Sequence, residues 1–229
     1  AIGTFGGRHL IDSRCTAVGP GSTTRTPCSV RCKDVNSPTA DLDRRTRLLA
    51  GADVTLRSLS DVLAPLGARF TEAGHELYLV GGSVRDALLG RLGTDLDFTT
   101  DARPEKVQEL LRGLVDHQWD TGIDFGTVSA AKGSEQLEIT TFRSDAYDRV
   151  TRHPVVEYGT SLEDDLVRRD FTVNAMAVRI GPDGAGEFVD PLGGLDALLA
   201  GVLDTPARPE DSFEDDPLRM LRAARFVSQ

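Results

Sequence analysis

Apolar residues in this chain recur in blocks whose period changes along its length. Between Asp41 and Ala73 they fall three and four apart, at Leu48, Leu49, Val54, Leu56, Leu59, Val62, Leu63, Leu66 and Phe70. That spacing predicts a packing helix. Leu77–Val80 is a short apolar run and predicts a buried strand. A Gly81–Gly82 turn follows, then Ser83 with Val84, Leu88 and Leu89 at helical spacing, with Gly90 able to stop that helix. Asp95–Leu96–Asp97 alternates inside a second strand-like run, so two strands bracket a short helix. Pro104–Leu114 predicts a helix with Pro104 in its first turn and Val107, Leu110, Leu111 and Leu114 inward. Phe125–Ala131 and Gln136–Phe142 predict two strands joined by a turn at Lys132–Gly133–Ser134.

The pattern is lost from Arg143 to Glu157, which predicts a loop of a length uncommon unless functional or mobile. Ser161 then caps a helix reaching Arg169, with Glu163, Asp164 and Asp165 in its first turn. Ala175–Ile180 and Glu187–Val189 read as strands around a Gly181–Gly186 turn. Asp190–Gly194 reads as another turn, with a helix through Leu199. Phe213–Gln229 predicts a strong helix, with Asp216 as N-cap, Pro217 at its first position and Leu218, Met220, Leu221, Ala224 and Phe226 giving an apolar side. Residues 1–45 show no sustained period and are rich in Gly, Ser, Thr, Arg and Pro, which predicts a disordered or poorly ordered extension. An Arg-rich, acid-poor start also fits a transit peptide. The prolines, glycines and missing amphipathic stripe count against that reading.

The chain of 229 residues is long enough for one substantial core. No run approaches the roughly 18 apolar residues that span a bilayer. The net charge of −10 is uneven: residues 1–50 carry eight Lys and Arg against four acids, so the rest is strongly acidic. An acidic domain does not hold a polyanion by bulk attraction, so binding to nucleic acid would need local arginines, metal ions or a basic part elsewhere. Cys15, Cys28 and Cys32 are the three cysteines. An odd number confined to the extension argues against a disulfide framework and for a reducing, cytoplasmic setting. With His9 they make a poor zinc spacing.

Chemistry concentrates between Glu76 and Thr100. Gly81 and Gly82 lack Cβ atoms, so with Ser83 they let backbone N–H groups approach a phosphate at a helix start. Period two puts Asp95 and Asp97 on one strand face, where two carboxylates repel unless a cation lies between them, and hard oxygen ligands suit Mg²⁺. A phosphate cradle beside a Mg²⁺ site is the apparatus of phosphoryl or nucleotidyl transfer. Glu138 lies between Leu137 and Ile139. It faces the Asp95–Asp97 pair as a possible third carboxylate, or it is the solvent side of an edge strand. Arg219, Arg222 and Arg225 share a broad face of the last helix, with Asp216 one turn earlier. An Asp–Arg pair offers acceptors and a fork of donors suited to the edge of a base.

Five motifs in order, LVGGSVRDALLG with DLD, TTFRSDAYDRVTRHP, RRDFTVNAMA, DPLGG and DDPLRMLRAARF, resemble the class II tRNA nucleotidyltransferase and bacterial poly(A) polymerase family, and most of all bacterial CCA-adding enzymes. The resemblance covers about Leu77 to Phe226 and implies an α/β, polymerase-β-like nucleotidyltransferase head. Its mixed sheet would be flanked by helices and followed by the start of an all-α neck. The expected organisation is an extension over 1–45, a head over 46–202 and the start of a truncated neck over 203–229, since the chain stops in mid-pattern without a cap. The resemblance makes Asp95 and Asp97 metal carboxylates. It places Gly82, Arg85 and Arg169 on the nucleotide and its triphosphate, and Asp170 and Asn174 near the ribose. Asp216 and Arg219 would read the base, with Arg222 and Arg225 following toward the phosphates. Where the family usually has Glu before that aspartate, this chain has Asp215.

The implied activity is addition of C, C and A to the tRNA 3′ end from CTP and ATP, with Mg²⁺, no side-chain nucleophile and a flexible element in 143–157. The alternatives are poly(A) addition or CC- or A-only addition within the same family. A reading of another class is a non-catalytic nucleotide- or RNA-binding module.

Overall fold

The computed structural model describes residues 38–120, 122–146, 155–159 and 161–227. Helices α1 (Pro38–Arg57) and α2 (Ser60–Glu72) lead into β1 (Leu77–Val80), α3 (Gly82–Leu88), β2 (Asp95–Thr100) and α4 (Pro104–Leu111). Then come β3 (His117–Trp119), a 3₁₀ turn at Ile123–Phe125, β4 (Thr127–Lys132), β5 (Glu135–Thr141), β6 (Arg143–Ala146) and β7 (Val155–Tyr158). The remainder is α5 (Leu162–Val167), a 3₁₀ turn at Thr172–Asn174, β8 (Ala177–Gly181), β9 (Gly184–Val189), α6 (Gly194–Ala200), α7 (Pro209–Asp215) and α8 (Leu218–Val227).

Seven strands form one sheet in the order β3-β4-β5-β2-β1-β8-β9. Among the described residues only the β2–β5 pair of this sheet is parallel, which makes the sheet mixed. Alternation along the strands gives its two faces different work. One face presents Leu79, Leu96, Phe98, Leu137, Ile139 and Val128 to helices that contribute Leu63, Leu66, Phe70, Val84 and Val107. Each fully buried Leu or Phe contributes about 1.5–3 kcal/mol, so this face carries most of the stability. The opposite face is covered beside β1 and β8 by a smaller cluster of Tyr78, Val80, Phe142, Leu162, Leu166, Ala175 and Ala177. Beyond that cluster it presents Asp95, Asp97 and Glu138, which keep solvent contact.

The helix expected over 41–73 is two helices. Ser58 and Leu59 close α1 with backbone N–H groups that reach back three residues, to the Thr55 and Leu56 carbonyls, and the Ser58 hydroxyl donates to the Thr55 carbonyl at 2.6 Å. A side chain that offers the backbone a local alternative is a common way to end a helix. Residues 38–45, expected to be extension, lie within α1, where Arg45 reaches Asp196 and Arg44 reaches the Leu199 carbonyl. The three cysteines and His9 lie outside the described residues. Helix α4 stops at Leu111 rather than Leu114 because Arg112 turns extended.

The loop expected over 143–157 holds two strands, β6 and β7, paired antiparallel with Arg143 opposite Tyr158. β-Branched Val155 and Val156 favour extension once a partner strand is available. The middle of that loop, 147–154, lies outside the described residues. Strand β3 was not legible, being three exposed residues held by backbone pairing at the sheet edge. The single helix expected over 213–229 is divided at Asp216–Pro217. A residue before proline is disfavoured in the helical region, and Asp216 is extended at φ −139°. Its Oδ1 accepts from the Leu218 N–H at 3.0 Å, the expected cap on α8.

Candidate active site

The site begins where β1 ends. Gly81 has φ 68° and ψ −135°, a conformation L side chains rarely adopt. A Cβ there would stand 2.9 Å from Arg169 Nη1 and 3.9 Å from Asp97 Oδ2. A guanidinium and a carboxylate thus converge over bare backbone. The Gly81 N–H itself donates to the Met176 carbonyl at 3.3 Å. The Ser83 hydroxyl is turned inward: it donates to the Asp95 carbonyl at 3.2 Å and accepts from the Asp97 N–H at 2.9 Å. It locks α3 to β2 rather than facing a ligand.

Asp95 and Asp97 share one face of β2, with Leu96 buried between them. The register pairs Asp97 with Glu138 on β5, so Glu138 stands on the carboxylate face. Burial first, then the charges of Glu138 and Asp95, push the Asp97 carboxyl above its ordinary value against the pull of Arg169. Such a crowd of like charges favours a bound cation. Among the described residues no group of three His, Cys, Asp or Glu is arranged as a ready metal cage. A pair of carboxylates suits Mg²⁺, which usually takes one or two carboxylates together with substrate phosphates. The donor set therefore fits that ion.

Arg169 is held from behind. Asp165 in α5 is fully buried; its Oδ2 accepts from Arg169 Nη2 at 2.9 Å and its Oδ1 from Arg168 Nη2 at 2.7 Å. Burial alone would raise this carboxyl, but Arg169 and Arg168 outweigh it and hold it below its ordinary value. In the sequence Asp165 reads only as a helix-start acid. Its spacing of three and four residues to the two arginines was the signal available.

Arg85, Asp170, Asn174 and Arg222 form one connected chain of contacts. Arg85 Nη1 donates to Asn174 Oδ1 at 2.6 Å, and Asn174 Nδ2 donates to Asp170 Oδ1 at 2.9 Å. Arg222 on α8 reaches Asp170 Oδ2 at 2.6 Å through Nη2 and 2.7 Å through Nε. The Arg85 guanidinium also lies 5.0 Å from the centre of the Phe226 ring, which meets Phe171 edge-on at 5.6 Å. Helix α8 is thus tied to α3 and to the 3₁₀ turn at Thr172–Asn174.

Three arginines of α8 are engaged within the protein. Arg219 is turned back, donating from Nη1 to Ser212 Oγ at 2.6 Å and from Nη2 to the Arg168 carbonyl at 2.7 Å, while Asp216 caps α8. Arg222 lies on Asp170 rather than standing toward a phosphate, and Arg225 lies 5.3 Å from the Phe226 ring.

Residues 77–204, more than half of the chain, match the Poly A polymerase head domain. The CCA-adding enzyme of Lactobacillus helveticus is 44% identical over 166 residues, which are 72% of this chain and 40% of that protein. The CCA-adding enzyme of Bacillus subtilis is 43% identical over 159 residues, 69% of this chain and 38% of the relative. Among solved structures, the Bacillus stearothermophilus CCA-adding enzyme in complex with CTP superposes with a TM-score of 0.62 at 37% identity, over 75% of this chain and 39% of that one. The Thermotoga maritima CCA-adding enzyme complexed with tRNA gives 0.59 at 31%, over 79% and 39%. The chain spans about two fifths of the length of the curated relatives it matches. The α/β, polymerase-β-like head implied by the sequence is the fold these structures share. Matched over residues 77–204, a span that includes Asp95, Asp97 and Arg169, the chain belongs to the Poly A polymerase head-domain family.

Proposed function

We propose that this chain is the catalytic head of a template-independent nucleotidyltransferase that adds C, C and A to the 3′ end of tRNA, releasing pyrophosphate from CTP and ATP. The observation that carries the reading is the convergence of Asp97 and Arg169 over Gly81. One group suits a metal-bound reaction centre and the other a polyphosphate.

In this reading the triphosphate lies over Gly81 and Gly82, and Arg169 neutralises the charge that grows on the departing pyrophosphate. Arg85 joins it from α3. Asp170 and Asn174, already oriented by each other, meet the ribose. Asp216 and Arg219 read the base once Arg219 leaves Ser212 and the Arg168 carbonyl, and Arg222 and Arg225 flank them. Mg²⁺ held by Asp95 and Asp97 would supply activation of the 3′-hydroxyl and charge neutralisation at the α-phosphate. Glu138 stands beside this pair as a third carboxylate. The reading places the reaction in the cytoplasm. Among the described residues no helix is long and apolar enough to cross a membrane.

Extension of tRNA lacking its end, with CTP alone, ATP alone and both, tests the proposal. Two C residues, none, and a completed end are expected in turn, all lost on Asp95→Ala. Long untemplated A tails would favour the poly(A) reading, which the name of the matched head domain keeps in view. Incorporation unchanged by Asp95→Ala would remove the metal assignment.

A further inference from the structure

A single lateral row crosses four strands on the carboxylate face. Asp97 pairs with Glu138, Glu138 with Ser129, and Ser129 with Trp119. Laterally paired residues share a face, and three strand spacings put Trp119 about 14 Å from Asp97. Trp119 is 46% exposed, although it is the largest side chain type in the chain. Its ring lies 6.4 Å from that of His117, tilted by 43°. A cavity of about 310 Å³ beside it is lined by Trp119, Ser129, Gln136 and Glu138, together with Ala130 and Leu137.

The direction of the chemistry says what enters there. An in-line displacement at phosphorus puts the attacking and departing oxygens on opposite sides of the reaction centre. The proposed triphosphate position at Gly81 and Arg169 is on the β1 side of Asp97, and β5 lies on the other side. The attacking 3′-hydroxyl therefore comes over β5, from the direction of Glu138, Ser129 and Trp119. Glu138 disfavours a phosphate but accepts from a ribose hydroxyl or a base N–H. An exposed indole at the end of that path offers a stacking surface, which any base can use.

We propose that the strip from Glu138 to Trp119 seats the single-stranded 3′ end of the acceptor RNA, with Trp119 stacked on a base just behind the terminal nucleotide. This rests on the nucleotidyl-transfer reading of Asp95, Asp97 and Arg169. It assigns the receiving strand a place separate from that of the incoming nucleotide.

Trp119 is the only tryptophan in the sequence, so its fluorescence reports this site alone. The chain is titrated with a short single-stranded RNA ending in 3′-CC, in chelator so that no transfer occurs. Saturable quenching is expected, and replacing the base behind the terminus by an abasic residue removes it. CTP with Mg²⁺ alone leaves the fluorescence unchanged. By anisotropy of labelled RNA, Trp119→Ala weakens RNA binding about ten-fold and Trp119→Phe keeps most of it, while CTP affinity is the same in all three proteins. Equal RNA affinity in wild type and Trp119→Ala overturns the proposal, as does quenching by CTP alone. Wild-type CMP incorporation alongside either result removes the subsite and keeps the transfer reading. Base-dependent quenching in a protein that incorporates nothing removes the transfer reading and keeps an RNA-binding strip.

Discussion

Asp165, with no exposure to solvent, holds Arg169 through a 2.9 Å contact from Oδ2 to Nη2. Its second oxygen takes Arg168 at 2.7 Å. One buried carboxylate therefore orients two adjacent guanidinium groups, and the Arg169 group is left with Nη1 over Gly81. The contact explains how a flexible side chain at the end of a six-residue helix is held in one place.

Asp165→Asn keeps the shape and removes the charge. Breaking a buried pair costs about 3–5 kcal/mol. Both arginines are about one-fifth exposed, so the loss should lie at the lower end, about 3 kcal/mol by urea denaturation. CTP binding should weaken in parallel, since Arg169 loses its anchor. A variant that is destabilised yet binds CTP like the wild type would show that Asp165 supports the fold and not the aim of Arg169.

The two shifted carboxyls act on stability with opposite sign. Asp165 is held below its ordinary value, so its contribution is fully present above its unfolded value of about 4 and is lost as pH falls through the folded one. Asp97 is raised by burial and by Glu138, so its contribution favours the fold below about 4 and is lost as pH rises through the raised value. At neutral pH the Asp97 charge therefore weighs against folding. In chelator, Asp97→Asn should raise the thermal midpoint. Mg²⁺ with CTP should raise the wild-type midpoint and leave that of the variant nearly unmoved. A variant that melts at or below the wild type would remove this account.

Local chemistry was legible in the sequence, and chemistry that depends on register or burial was not. Gly81–Gly82 and the Asp95–Asp97 spacing declare themselves within a few residues, as does Ser161 with its acidic first turn. The side taken by Glu138 depends on how β5 aligns with β2, a pairing between segments about forty residues apart. Asp165 has the spacing of an ordinary surface ion pair, and its complete burial comes only with the tertiary fold. The polar strand β3 has no apolar pattern to read, because it is held at the edge by backbone bonds. The inward hydroxyl of Ser83 was unreadable for a related reason: its partners, Asp95 and Asp97 backbone atoms, lie on another element.

Arg222 and Asp170 tie α8 to the 3₁₀ turn at Thr172–Asn174, and that tie should be weak in global terms. Arg222 is about half exposed, so its pair is screened and should contribute no more than about 1 kcal/mol. Removing it leaves Asp170 bonded to Asn174 and to the Phe171 N–H. Arg222→Ala should barely move the melting midpoint but should speed hydrogen exchange in α8, and high salt should do the same to the wild type. Exchange in α8 that is unchanged by either would show that Phe226 against Phe171 and Arg85 is the contact that holds the helix.

Two glycines in successive helices should respond to alanine with opposite signs. Glycine inside a helix is worse than alanine by about 1 kcal/mol, so Gly→Ala stabilises wherever space permits. Gly51 in α1 is exposed, and an added Cβ would meet nothing within 4 Å. Gly51→Ala should therefore gain about 0.5–1 kcal/mol. Gly67 in α2 is buried against the end of β8, and a Cβ there would fall 2.1 Å from the Gly181 carbonyl oxygen and 2.5 Å from its carbon. The obstacle is backbone in a paired strand, which cannot rotate aside as a side chain would. Forced overpacking of this kind costs about 1–3 kcal/mol, more than the helix gains. Gly67→Ala should thus lower the urea midpoint in the assay where Gly51→Ala raises it. Two shifts of the same sign would mean that α2 slides along the sheet to make room, and that the close approach of Gly67 to Gly181 is not what sets the position of the helix.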